Sequence, residues 1–142
     1  MMRHSVERSI PAVVAGCAIV LGIALAAVHG ADAPKDEWKA PAYAAKKKNP
    51  VPADEKAIAA GKESYLANCL SCHGEGGKGD GPAAPSLERP PGDLTSAKTQ
   101  EQSDGSMFWK ISTGRKPMPP VPKEVSETER WQIVDYVRTF KK

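Results

Sequence analysis

Apolar positions change their period several times along the chain. From Ala12 to Val28 they run with no charged residue between them, apolar on every face a helix would present. From residue 54 the spacing turns helical. Ile58, Gly61, Tyr65 and Leu66 share one face, and Asp54 stands where an N-cap belongs, which predicts a helix leading straight into Cys69. Residues 74–96 are then broken by Gly74, Gly76, Gly77, Gly79, Gly81, Pro82, Pro85, Pro90, Pro91 and Gly92, and no regular element is expected there. Ser103 precedes a short helix, Asp104 to about Thr113, that Gly114 closes. A second Pro-rich loop covers residues 116–122. Ser126-Glu127-Thr128-Glu129 is a capping box, and Ile133, Tyr136, Val137 and Phe140 follow at helical spacing with Trp131 on a flank. Lys141 and Lys142 stand at the favourable end of that helix for positive charge.

No strand alternation and no internal repeat is present, so the expected class is all-α, with about three helices. The folded domain is expected at residues 54–142, 89 residues with two long loops. Loops of that length are uncommon in so small a domain, and a chain of this size struggles to bury enough apolar surface by itself. Something beyond the polypeptide is expected to organise them.

The stretch before residue 54 divides in two. Arg3, His4 and Arg8, then the apolar run, then small residues up to Ala31, describe an export signal over residues 1–31. The same run, if uncleaved, is just long enough to anchor the chain through residues 12–28. Val14-Ala15-Gly16-Cys17 resembles a lipoprotein acylation site, but most of the apolar run follows Cys17, which argues against it. Residues 32–53, rich in Ala, Pro and Lys, read as a semi-rigid, largely extended linker, in which Lys46, Lys47 and Lys48 are solvated or, beside an anchor, face anionic lipid.

Charge narrows the partners. The chain carries 20 basic and 17 acidic residues. Without residues 1–31 it loses Arg3, Arg8 and Glu7, leaving 18 and 16, a net charge of +2. That lacks the clustered basic face of a nucleic-acid binder.

Of three cysteines, Cys17 lies in the leader and two remain. Cys69-Leu70-Ser71-Cys72-His73 is a Cys-x-x-Cys-His motif. Its spacing suits covalent haem: each thiol adds across one vinyl group, and the adjacent histidine turns toward the iron. A zinc site would need two more ligands, and after His29 no second His or further Cys is left. A dithiol redox pair would need a strand–helix context that the pattern lacks. The candidates for the sixth iron ligand are Met118, Met107 and, more weakly, a lysine; Met118 is favoured, held in Pro117-Met118-Pro119-Pro120, where prolines stiffen the loop. Met107, beside Phe108 and Trp109, is a packing methionine by default, as Trp109 and Trp131 are packing indoles. His/Met ligation raises the reduction potential and leaves no open coordination position.

These residues resemble the class I cytochrome c family over residues 54–142. The resemblance rests on Gly61 and Tyr65, eight and four residues before Cys69, on Cys69 to His73, and on Pro85-Ser86-Leu87, with Pro85 twelve after His73. It extends to Met118-Pro119 and to Ile133 and Tyr136 of the last helix. It implies a cytochrome c fold around one covalently bound haem c. Gly61 would let the first and last helices cross closely, with Tyr65 and Tyr136 packed at the crossing. The Pro85 carbonyl would accept from the second ring nitrogen of His73. Gly79-Asp80-Gly81-Pro82 through Asp93-Leu94-Thr95 is similar to small bacterial monohaem cytochromes. That likeness implies a periplasmic electron carrier, soluble or anchored to the outer face of the inner membrane. Its donor and acceptor would be a dehydrogenase, reductase or respiratory complex. Arg115 and Lys116, with Lys78 and Lys123, would form at most a modest positive rim. A haem sensor or peroxidase-like enzyme is the reading from another class. It requires Met118 to leave the iron, and no distal His or Arg constellation is recognisable.

Overall fold

A computed structural model describes residues 37–142 of the chain. The expectations for residues 1–36, the export signal, the anchor and Cys17, lie outside the described residues. Among those described, the structure is all-helical: α1 (Ala42–Ala45), α2 (Glu55–Asn68), α3 (Leu70–His73), a 3₁₀ turn (Ala84–Ser86), α4 (Ala97–Gln100), α5 (Asp104–Thr113) and α6 (Glu127–Arg138). The three expected helices are α2, α5 and α6. The single-turn elements, too short for a sequence period, are additions.

Each long helix starts where its cap residue stands. The Asp54 side chain accepts from Ala57 N, the Ser103 side chain accepts from Ser106 N, and Ser126 forms the full capping box with Glu129. Gly114 ends α5 with φ +63°. The helices bury one cluster: Tyr65, Met107, Phe108, Trp131, Ile133, Val134, Tyr136 and Val137. Helices α2 and α6 cross at Gly61, where a Cβ would overlap the Gln132 carbonyl. Beside the crossing, the Tyr65 and Tyr136 rings meet edge-on with centroids 5.3 Å apart, and Phe140 joins both.

Two expectations for the helix faces are corrected. Leu66 is exposed, and the buried face of α2 is Ala57, Gly61 and Tyr65 with Ile58 partly covered. Trp131 is not on a flank. It is fully buried and stacks on Phe108 with centroids 4.0 Å apart, because α5 lies against that side of α6.

The larger correction concerns residues 37–53, expected as an extended linker. They dock as a strap over α5 and α6. The Ser103 hydroxyl donates to the Ala45 carbonyl at 2.7 Å, Lys47 pairs with Glu127 at 2.7 Å, and Asn49 Nδ2 donates to Asp135 Oδ1 at 2.7 Å. Gly105 lies so close that a Cβ there would overlap the Ala44 carbonyl. Val51 packs against the core. The composition of the segment describes a linker, but its polar groups find specific partners on the helices, and that decides the outcome.

Asp135 makes the stability of the fold sensitive to pH. Burial, then the charge of Asp104, pushes its carboxyl up from 3.8 to about 6, against the opposing pull of Asn49. Between those values the folded protein keeps a proton that the unfolded chain has released. Stability is therefore lost as pH rises through that window. Chemical denaturation at pH 4 and pH 7 is expected to show a term on the order of 2 kcal/mol in wild type that is missing in Asp135→Asn.

Candidate functional site

The Cys-x-x-Cys-His motif is built by a break between two helices. Cys69 is the C-cap of α2, with φ −121°, and also starts the single turn α3, whose Gly74 end has φ +75°. The His73 and Gly74 amides bond to the carbonyls of Cys69 and Leu70. One helical turn thus carries both thiols and the imidazole. The buried Tyr65 hydroxyl donates to the Gly74 carbonyl at 2.7 Å, tying the end of this turn to the α2–α6 crossing.

Burial, reinforced by Cys72, pushes the Cys69 thiol up to about 12. Thiol–disulfide exchange needs a thiolate, so a buried thiol of this kind suits a dithiol redox pair poorly. Burial holds His73 below the usual imidazole value, and a hydrogen bond to Gly92 partly offsets it. The ring is therefore neutral at pH 7. With Nδ1 donating to the Gly92 carbonyl at 3.2 Å, the Nε2 lone pair is free for a metal.

That partner corrects the assignment to Pro85. Pro85 lies exposed in the 3₁₀ turn. The chain around it is held by backbone: Gly81 N bonds to Cys72 O at 3.1 Å and Ala83 N to Ser71 O at 2.8 Å. Residues 81–86 therefore run along the α3 backbone, and the later loop brings Gly92 to the ring.

Met118 sits in a tight turn closed by two backbone bonds, Arg115 N to Met118 O at 2.8 Å and Met118 N to Arg115 O at 2.9 Å. Val121 N then bonds to Ile111 O at 2.9 Å, holding the loop to α5. Met118, Cys69 and His73 all line two adjoining cavities. One, of about 200 Å³, reaches Tyr65, Ile111 and Val134 in the core. The other, of about 460 Å³, runs past Cys72 and Leu87 along the Pro117–Pro122 loop. Met107 lines only the inner cavity and belongs to the buried cluster, in keeping with a packing role.

Residues 56–137 match the family described as "Cytochrome C oxidase, cbb3-type, subunit III". The chain belongs to this family of class I c-type cytochromes. Among solved structures it is similar to the "Kuenenia stuttgartiensis reducing HAO-like protein complex Kustc0457/Kustc0458", at 35% identity and a TM-score of 0.60, covering 66% of this chain. The match covers 47% of that chain, so the protein spans about half the length of this relative. It is also similar to "KustC0563 c-type cytochrome", at 28% identity and a TM-score of 0.50, over 58% of this chain and 98% of that one. No curated protein sequence matches the chain.

Membership makes this an all-α cytochrome c fold with covalently bound haem c and an electron-transfer role. The residues present fit such a group. The motif and the methionine border the same apolar space, and the loops without regular structure are the ones that line it. Among the described residues, no cluster of His, Cys, Asp and Glu side chains offers a rival metal site.

Sequence reasoning missed a third space of about 710 Å³, lined by Arg89, Lys98, Lys110 and Arg115 together with Glu37, Trp38 and Gln102. Of the expected rim, Arg115 lies in this cleft and Lys116 on the outer cavity, while Lys78 and Lys123 line none of the three. Trp38 was missed as well. Its signal was available, as the one indole in a segment rich in Ala, Pro and Lys.

Proposed function

We propose that the chain is a single-electron carrier holding one haem through thioethers at Cys69 and Cys72, with His73 and Met118 as axial ligands. The observation that carries this reading is the shared lining: Cys69, His73 and Met118 border the same two apolar cavities. When bound, the haem supplies a one-electron couple between ferrous and ferric iron. The chain supplies the rest. The α3 turn fixes the spacing of the thiols and the imidazole. The Gly92 carbonyl holds the His73 tautomer. The backbone-closed turn at Arg115–Met118 holds the thioether, and the apolar walls disfavour the extra charge of the oxidised state.

The first test is mass. The purified protein is expected to keep the mass of one haem after acid–acetone extraction, and Cys69→Ser/Cys72→Ser to lose it completely. Wild type that releases its haem into the solvent would remove the covalent assignment.

The carrier works in an exported compartment, between redox protein partners. Residues 1–31 support export, and covalent haem of this kind is attached after export. The family description names an oxidase subunit and the similar complex is described as reducing and HAO-like. Both support a place within, or between, redox protein assemblies. A membrane-tethered subunit is favoured by one observation, the uncharged run of residues 12–28. Mass spectrometry of the mature N-terminus separates the two: a start near Ala31 or Asp32 means a soluble shuttle, and an intact leader means a tether. Among the described residues, no helix is long and apolar enough to cross a membrane.

A further inference from the structure

We propose that Trp38 is a positioning residue of the haem site, placed by the strap of residues 37–51 to close the crevice and keep water from it. The role rests on the haem site assigned above.

Trp38 alone, among the described residues, lines all three spaces: the basic cleft and both apolar cavities. Its ring thus borders both the polar cleft and the space lined by Cys69, His73 and Met118. The indole is held from several sides. Trp109 lies 6.3 Å away, centroid to centroid, at 59°. Lys110 Nζ stands 5.4 Å from the ring and the Arg115 guanidinium 5.2 Å. Cations at these distances are attracted to the face of an indole and fix its orientation. Trp38 is outside the buried cluster that stabilises the helices, so core packing does not account for it.

The strap that carries the indole is fastened beyond it, at Ala45, Lys47 and Asn49, to Ser103 at the start of α5 and to Glu127 and Asp135 of α6. A passive connection to an upstream segment needs no such anchors. They hold the strap against α5 and α6, and the contacts of the indole with Trp109, Lys110 and Arg115 hold the ring beside the crevice.

The consequence is electrostatic. Water at the crevice mouth stabilises the form of the iron with more charge. A ring that excludes water disfavours ferric iron and raises the reduction potential. The same ring holds two cations at the mouth, which also favours the reduced state.

The test is a redox titration of the full-length holo-protein and three variants. Trp38→Ala is expected to titrate at lower potential than wild type, and Trp38→Phe, which keeps an aromatic ring, to recover most of the difference. Tyr43→Ala, on the exposed part of the same strap, is expected to match wild type. An unchanged potential in Trp38→Ala overturns the role. Amide exchange on wild type gives a second reading that needs no variant. Protection of Lys46 and Lys47, whose amides bond to Ala42 O and Ala44 O, is expected, and free exchange there means an undocked strap and overturns the proposal. A wild type without sulfur ligation would sink the Met118 assignment and leave this comparison of potentials intact, so the two failures are distinguishable.

Discussion

Gly61→Ala is expected to lower the melting temperature of the holo-protein by roughly 10–20 °C, corresponding to about 3 kcal/mol or more. Two effects compete at this position. A glycine inside a helix costs about 1 kcal/mol relative to alanine, so propensity alone would favour the substitution. The crossing opposes it. The added methyl overlaps the carbonyl oxygen of Gln132 in α6, a backbone atom that has no rotamer by which to escape. The helices must separate. Separation loosens the Tyr65–Tyr136–Phe140 ring cluster and the Tyr65 bond to Gly74 that steadies the haem-binding turn. Sterics therefore outweigh propensity. Thermal unfolding followed at the far-UV helix signal and at the haem absorption checks this. Melting within 2 °C or so of wild type would mean that the crossing is looser than this packing requires.

Met118→Ala is expected to lower the reduction potential by on the order of 0.1 V or more, within the roughly 0.8 V that axial ligation spans. As the proposed sixth ligand, the thioether would be a soft donor that favours ferrous iron, and its loss would admit water, which favours ferric. The substitution should leave the fold in place. The turn is closed by the backbone groups of Arg115 and Met118, which alanine retains, and the side chain is outside the buried cluster. Spectroelectrochemical titration checks the shift. A potential equal to that of wild type would place the sixth ligand elsewhere.

The parts of this protein legible in its sequence are those governed by local chemistry. The three long helices follow from Asp54, Ser103 and Ser126 as caps and from helical spacing of apolar residues. The haem-binding turn follows from a five-residue motif. What was not legible depends on contacts between distant segments. The composition of residues 37–53 is that of a linker, and only the partners Ser103, Glu127 and Asp135 turn it into a strap. The partner of His73 depends on which of two Pro/Gly loops reaches the ring. Pro85 has the spacing seen in the family, yet the backbone bonds of Gly81 and Ala83 hold its segment along α3, and Gly92 arrives instead. Trp131 stands at the edge of the periodic pattern of α6, but α5 covers that edge with Phe108 and makes it core. Helical periodicity identifies one buried face, whereas a helix packed from two sides buries more.

The proposed haem is six-coordinate, moves electrons and does little else. The absorption spectrum of the purified full-length protein, ferric and then ferrous under carbon monoxide, tests it most directly. Six-coordinate His/Met ligation gives a weak far-red sulfur-to-iron charge-transfer band in the ferric protein and no ready carbon monoxide binding in the ferrous one. A ferric spectrum without that band, followed by ready carbon monoxide binding on reduction, would contradict it and make the haem site that of a sensor or an enzyme.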